Sequence, residues 1–414
     1  MTLETCCAPD DLMTPAAALD ALRQRVAPVA GTEPRPLMAA RGTVLAESIT
    51  APHALPAWDN SAMDGWAVRA ADTAGAESVT LPVADRVAAG HPRAEPVPPG
   101  HAVRIFTGAP VPDGVDAVVM QEHCTADDDG GRVTVPGGVA AGTNVRHAGE
   151  DVAAGATVLA QGTRLDARAL ALAAAVGCDR LLVRRPVQVA VFSTGDEVRE
   201  PGEPLPDGGL YDANRYMLMG LLDRPDLAVA DLGILPDAPK ALEGALHDAA
   251  LSYDVVITSG GVSLGEEDHV RAAVEGLGGL HFWRLAVKPG KPVALGHVGG
   301  AAFLGLPGNP VAALVTFLLM GRPLLAGLAG AAVTEPPRYT LPAAFTFDKK
   351  AGRREFLRAR LADGGRTVER AGPEGSALLG SLVTCDGLVD LAPETTAVAP
   401  GDPVPFLPFA EVLP

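Results

Sequence analysis

"YDVVITSGGVSLGEEDHVRAAVEGLG", residues 253–278, is the stretch on which the fold turns. Its first part is β-branched and apolar, like a strand buried on both faces, and its last part spaces apolar residues as a helix does. The segment therefore predicts strand, glycine loop, helix. Gly260 and Gly261 let backbone N–H groups approach an anion at the positive end of a helix. The same loop then carries Glu266, Glu267 and Asp268, which repel an anion. A divalent cation reconciles the two, because Mg²⁺ takes carboxylate oxygens on one side and phosphate oxygens on the other. Carboxylates at a helix start also act as plain caps and dipole partners, and for any one of them alone that reading stands beside the metal one.

On either side of this segment, "PVQVAVFSTGDE", "ANRYMLMGLLD", "AVADLGILPD", "KALEGALHDAAL", "PVALG", "AAFLGLPG" and "NPVAALVTFLLMG" alternate strand and helix patterns. Such alternation implies a doubly wound, mostly parallel α/β sheet with helices on both faces. Ligands of these sheets bind where the loops gather at the carboxyl ends of the strands. Four loops fall there: "STGDE" (193–197), "LPD" (235–237), "SGGVSLGEED" (259–268) and "LPGNP" (306–310). Three place a carboxylate just past a strand, at Glu197, Asp237 and Asp268, and the fourth offers backbone and the Asn309 amide. Carboxylates recurring on several loops at one edge exceed what capping requires. "HFWRLAVKPGKP", residues 281–292, brings cations: Lys288 and Lys291 bracket a Pro-Gly turn, and Arg284 lies four positions before Lys288. The set suits an oxyanion, although a surface turn with two solvated lysines reads the same.

The remaining chain reads as a multidomain α+β protein. "MTPAAALDALRQRVAPVAG" predicts a helix capped by Thr14 with Pro15 in its first turn, and Pro/Gly-punctuated short runs up to about Arg146 predict β-rich structure. "DARALALAAAVG" predicts a helix, and from about Glu335 short strands between turns predict a small β-barrel. No fixed-period repeat is present. A length of 414 residues with 48% hydrophobic and 20% charged residues supports several cores. A formal net charge of -17 excludes nucleic acid and anionic membrane as general partners, so an anionic ligand must be met locally. Five cysteines without a CxxC pair, and no secretory signal pattern, point to a reducing cytoplasm. The uncharged run of 30 residues from Pro292 is long enough to span a membrane, but its glycines and "LPGNP" divide it into a strand, a turn and a core helix.

Eight motifs, "DNSAMDGWAVRA", "RIFTGAPVPDGVDAVVMQE", "VRHAGEDV", "FSTGDEV", "YDANRYML", "TSGGVSLGEED", "VKPGKP" and "GLPGNPVAA", run in order from about Asp59 to Ala313. Together they resemble the molybdopterin molybdenumtransferase (MoeA) family, related to the gephyrin E domain, with weaker support in "AGRREFLRARL" and "GSLVTCDGL". The resemblance implies insertion of molybdate into adenylylated molybdopterin with Mg²⁺ assistance, releasing AMP and molybdenum cofactor. It implies four domains: an elongated one from residues 10–50 plus 147–178, a β-rich one at 51–146, a molybdopterin-binding α/β domain at 179–330, and a β-barrel at 335–414. It also implies a homodimer whose cleft is shared between chains, supplied by an upstream adenylyltransferase and serving molybdoenzyme apoproteins.

By the same resemblance, functional positions fall on Asp64, Thr107, Asp151, Glu197, Asp237, Asp268 and Lys288. Asp151, Glu197, Asp237 and Asp268 would be metal ligands, and Ser259, Gly260, Gly261, Ser263, Arg284, Lys291, Pro307, Gly308 and Asn309 would bind substrate. Thr107 reads equally as a turn residue before Gly108, and Asp64 as part of an Asp-Gly turn. Arg284 replaces the family's usual lysine, and "CDGL" at Cys385–Leu388 replaces its usual "ANGL", with Cys385 read as a buried small hydrophobe. Cys6 and Cys7 match nothing assignable. A molybdopterin adenylyltransferase and a catalytically silent pterin-binding scaffold stand as alternatives. The first calls for "GGTG" where this chain has "GGVSLG".

Overall fold

The computed structural model describes residues 12–29, 31–261, 269–373 and 375–413. The chain forms two compact units. The larger draws on the residues up to Ala46, on Gly162–Asp166 and on the chain from Arg180 onward; the smaller comprises Glu47–Gln161 and Ala167–Asp179.

A seven-stranded sheet organises the larger unit. Its strands are β1 (Val187–Thr194), β2 (Leu227–Leu235), β3 (Val255–Ser259), β4 (Gly278–Leu285), β5 (Pro292–Val298) and β6 (Ala301–Leu306), with the short strand Leu12–Met13 beside β4. The order across the sheet is β4-β5-β6-β3-β1-β2. Strands β2, β1, β3 and β6 run parallel, while β6-β5-β4 form an antiparallel edge. The parallel part and its helices follow the predicted alternation. Strand β4 has no counterpart in that reading, because its glycines and mixed polarity carry no alternation and its pairing with β5 decides its state.

Both faces of the sheet are covered by the helices α1 (Ala213–Leu221), α2 (Pro239–Ser252), α3 (His269–Leu277) and α4 (Pro310–Thr316), the last continuing through a π turn into Arg322–Leu328. Val187, Val189 and Val191 of β1 point into a core with Leu218 of α1 and Leu314 of α4. The alternate residues Ala190 and Phe192 enter a second core with Leu242 and Leu246 of α2 and Val270 and Val274 of α3. This period-2 division explains why the strand reads as uniformly apolar. The long helix Pro310–Leu328 meets the length and polarity of a membrane span, yet 89% of it is buried in the fold, so it is a core helix, as its glycine and proline punctuation predicts. Thr14 caps the helix Pro15–Arg25, its hydroxyl accepting from the N–H of Ala17 at 3.2 Å.

The C-terminal strands close into a small barrel. Tyr339–Pro342 pairs with Pro403–Pro408, then Gly387–Leu391, Arg354–Ala362 and Thr367–Arg370 follow, and the bridge between Ala343 and Val368 completes the ring. The strand Val287–Lys288 pairs with Arg354–Glu355, stitching the barrel to the α/β sheet. Cys385 is buried in the main core, as read from sequence. The smaller unit holds a six-stranded sheet, including Gly65–Val68 and Ala102–Ile105, with separate cores around Trp66 and around Ile105.

Leu304 on β6 is fully buried in the main core. Leu304→Ala is expected to lower unfolding free energy by about 2–5 kcal/mol in urea denaturation, with the far-UV spectrum unchanged.

Candidate active site

Hydrogen-bond register sets the site. Across the parallel strands Thr194 lies opposite Leu235, Ser193 opposite Ser259, and Ser259 opposite Leu306. The loops after β1, β2, β3 and β6 therefore leave the sheet at one edge. Because β1 is flanked by β2 on one side and β3 on the other, this edge includes the point where the winding reverses, the usual ligand crevice of such sheets.

A cavity of about 580 Å³ opens there. Glu197, Gly260, Gly261, Lys288, Lys291, Pro307, Gly308 and Asn309 line it, so the structure brings together most of the expected substrate-binding positions. Gly260 and Gly261 adopt φ of 93° and 63°, which side chains other than glycine rarely take, and a Cβ on Gly261 would meet Val270 at 2.6 Å. Ser259 does not face the cavity. It is buried, accepts from Nδ2 of Asn214 at 2.8 Å and donates to the Pro307 carbonyl at 3.3 Å, while Nδ2 of Asn214 also donates to the Gly308 carbonyl at 2.6 Å. Asn214 thus pins the "SGG" and "LPGNP" loops to each other from α1.

Asp237 lines a smaller cleft of about 320 Å³ with Gly195, Asp196 and Arg199. Arg284 lies in the β4–β5 ladder opposite Pro292 and is not among the residues lining the 580 Å³ cavity, since its strand position precedes the turn that carries the lysines. Ser263 and Asp268 lie outside the described residues. Among the described residues, no group of three His, Cys, Asp or Glu side chains is placed to hold a metal.

The barrel supplies a wall that sequence reasoning missed. Glu355, Arg358, Arg370 and Ser376 all line the cavity. Lys288, expected to offer its charge to an oxyanion, has its ammonium 2.6 Å from Oε1 of the nearly buried Glu355. Arg358 donates to the carbonyls of Pro373, Gly375 and Leu378, fixing the loop that closes the wall. The Ser376 carbonyl accepts from the N–H of Val311 at 3.0 Å, docking that loop on the start of α4. The guanidinium of Arg370 stacks 4.8 Å from the Phe347 ring. "AGRREFLRARL" holds Glu355 and Arg358 but not Arg370, and nothing local to it shows which of its charged residues reach a cavity built from segments far upstream.

In the smaller unit, Asp64 and Thr107 meet each other. Oδ1 of Asp64 accepts from the backbone N–H of Thr107 at 2.8 Å and from its hydroxyl at 2.8 Å. These two donors hold the Asp64 carboxyl below its ordinary pKa, the backbone bond contributing most. Turn residue and hydrogen-bond donor are the same role here: Thr107 closes its turn against the carboxylate. Asp151, in the same unit, lies just after a turn in which the N–H of Glu150 donates to the carbonyl of His147.

A doubly wound sheet with a cationic cleft at its switch point, extended by a β-rich unit and a barrel, defines a multidomain α/β class with a built ligand crevice. Three family models match in sequence: the MoeA N-terminal region (domains I and II) over residues 13–177, a probable molybdopterin binding domain over 190–327, and the MoeA C-terminal region (domain IV) over 340–409. A molybdopterin molybdenumtransferase of Haemophilus influenzae is 42% identical over 386 residues, covering 92% of this chain and 95% of that protein. Molybdopterin molybdenumtransferase 2 of Mycobacterium tuberculosis is 39% identical, covering 88% and 92%. The crystal structure of a molybdopterin biosynthesis moeA protein from Pyrococcus horikoshii superposes with a TM-score of 0.81 at 28% identity, covering 96% of this chain and 99% of that one. The chain belongs to the MoeA family of molybdopterin molybdenumtransferases.

Two measurements probe this geometry. A depressed native pKa makes the Asp64 contribution present above its unfolded pKa and lost as pH falls through the native one. Thr107→Val removes the hydroxyl donor but keeps the N–H, so carboxyl NMR titration should find Asp64 moved up toward 3.8 without reaching it. An unmoved Asp64 would show that the hydroxyl is not its donor. Asn214→Ala should leave the fold intact while hydrogen exchange at Gly260, whose N–H donates to Leu306, quickens by about tenfold as the two loops uncouple.

Proposed function

We propose that the 580 Å³ cavity is where this transferase receives adenylylated molybdopterin and molybdate, and that insertion of the metal releases AMP and molybdenum cofactor. Family membership carries the reaction class, molybdenum insertion in cofactor biosynthesis. The observation that supports the substrate reading is the cavity wall: glycine loops open to a phosphate on one side, and on the other Lys288, Lys291, Arg358 and Arg370, which outnumber the lining carboxylates Glu197 and Glu355. In a protein of net charge -17, cations gathered at one crevice favour an anion there over the rest of the surface.

The chain's own groups divide the work. Backbone N–H groups beside Gly260 and Gly308 orient phosphoryl oxygens, and the lysines offset charge that develops on them. Glu355, by pairing with Lys288, fixes where that ammonium sits. Mg²⁺ ordinarily keeps several waters and takes one or two carboxylates besides substrate phosphates. Glu197 lines the 580 Å³ cavity, while Asp237 lines the smaller cleft with Gly195 and Asp196 of the Glu197 loop; in our reading both would hold the ion together with Asp268, and Asp151 is assigned by resemblance alone. When bound, the ion would draw negative charge from the phosphoanhydride oxygens. We place the reaction in the cytoplasm from the cysteine pattern, and infer a homodimer in which Asp64 and Thr107 of one chain complete the cleft of the other. An adenylyltransferase or a silent scaffold would fail the assay below.

Incubating the purified protein with adenylylated molybdopterin, molybdate and Mg²⁺ should yield AMP and active cofactor. Asp268→Asn and Lys288→Ala should fold yet slow AMP release by at least about 100-fold. Wild-type rates in Asp268→Asn with unchanged Mg²⁺ dependence would dispose of the metal reading. For the shared cleft, subunits of inactive Asp64→Asn and Asp268→Asn dimers are exchanged at equal amounts. Half of the dimers become mixed, each with one intact site, and roughly a quarter of wild-type activity should return. No recovery, with mixed dimers verified by mass spectrometry, would place each site within a single chain or make it depend on an intact neighbour.

A further inference from the structure

A second cavity in the larger unit, about 450 Å³, shares no lining residue with the first. Arg164, Arg224 and Arg322 line it, together with Asp226 and Glu411. Asp226 is 3% exposed, and its carboxylate orients two of the three guanidiniums. It accepts from Nη1 of Arg164 at 2.8 Å and from Nε and Nη2 of Arg224 at 3.1 and 2.8 Å. Nη1 of Arg164 is held further by the Gly42 carbonyl at 3.0 Å. One buried carboxylate thus positions two cations while neutralising one.

Arg322 is served less well. Its Nη2 reaches the backbone carbonyl of Glu411 at 3.3 Å, while the Glu411 carboxylate accepts from the Tyr339 hydroxyl at 2.9 Å. Burial and then the positive charges of Arg224 and Arg164 push the Arg322 pKa down, and the attraction of Glu411 is the weakest influence on it. Three guanidiniums against two carboxylates leave a residual positive charge inside a strongly acidic protein. Such convergence is unfavourable by itself and is relieved by an anion.

We propose that this cavity is a second anion site, distinct from the reaction cleft, which takes a phosphoryl group, free or esterified, between Arg164, Arg224 and Arg322. The N–H donors left on each guanidinium after Asp226 and the Gly42 and Glu411 carbonyls are served arrive from three chain segments and suit a tetrahedral dianion, which accepts from several directions at once. The remaining wall, with Ala326, Ala331 and Val412, is apolar except for Thr334 and leaves space for the body of a small ester.

Isothermal titration at fixed ionic strength, with inorganic phosphate and with glycerol 3-phosphate, tests the site. Wild type should bind phosphate, a Lys288→Ala, Lys291→Ala double variant should retain one binding event of wild-type affinity, and Arg322→Gln added to that double variant, where the reaction cleft no longer competes, should bind at least about tenfold more weakly. Tighter binding of the ester would identify a phosphorylated metabolite as the occupant, and equal binding the phosphoryl group alone. Arg224→Lys in the same background, which keeps the charge but loses the fork, should also weaken binding and guards against misfolding of the Arg322 variant. Absence of phosphate binding in wild type, unchanged affinity in both arginine variants, or loss of all binding in the lysine variant would overturn the proposal.

Discussion

The backbone register that sets Thr194 against Leu235 and Ser259 between Ser193 and Leu306 is the constraint on which the larger unit depends. Parallel pairing brings four strand ends to one edge, and with them the glycine loop, the "LPGNP" turn and the carboxylates Glu197 and Asp237. A one-residue slip of β3 would turn Val255 and Ile257 from their core into the opposite one, so the two cores of this sheet enforce the alignment of its loops. The edge that carries these loops is thereby held by apolar packing in the two cores.

Polar groups then refine what packing has placed. Asn214 joins two of the loops through Ser259 and the Gly308 carbonyl, and Asp64 gathers two donors from Thr107. Glu355 holds the Lys288 ammonium, and Arg358 holds Pro373, Gly375 and Leu378 by their carbonyls. In each case a group with capacity to bind an anion or a cation is first spent on fixing protein. A preset geometry of this kind lowers the ordering cost of binding any ligand there. The strand Val287–Lys288 has a particular part in this, since it is paired to the barrel and leads into the turn carrying Lys291. The sheet and the barrel thus contribute to one wall.

The sequence alone determined what depends on neighbours along the chain. Strand–loop–helix at residues 253–278, the Thr14 cap, the core helix after Asn309 and the glycines at positions 260 and 261 were all legible, because periodicity, caps and turn residues act over one or two turns of chain. Ordered motifs from Asp59 to Ala313 made the family legible too. Tertiary structure decided what depends on contacts between distant segments. It made β4 a strand, because its state comes from pairing with β5. It gave Lys288 the partner Glu355 and brought Arg358 and Arg370 to the cavity, because the barrel folds back across the start of α4. It gathered Arg164, Arg224 and Arg322, separated by up to 158 positions, around Asp226. Side-chain neighbours of this kind are fixed by closure of long loops, which leaves no periodic trace in the residues that meet.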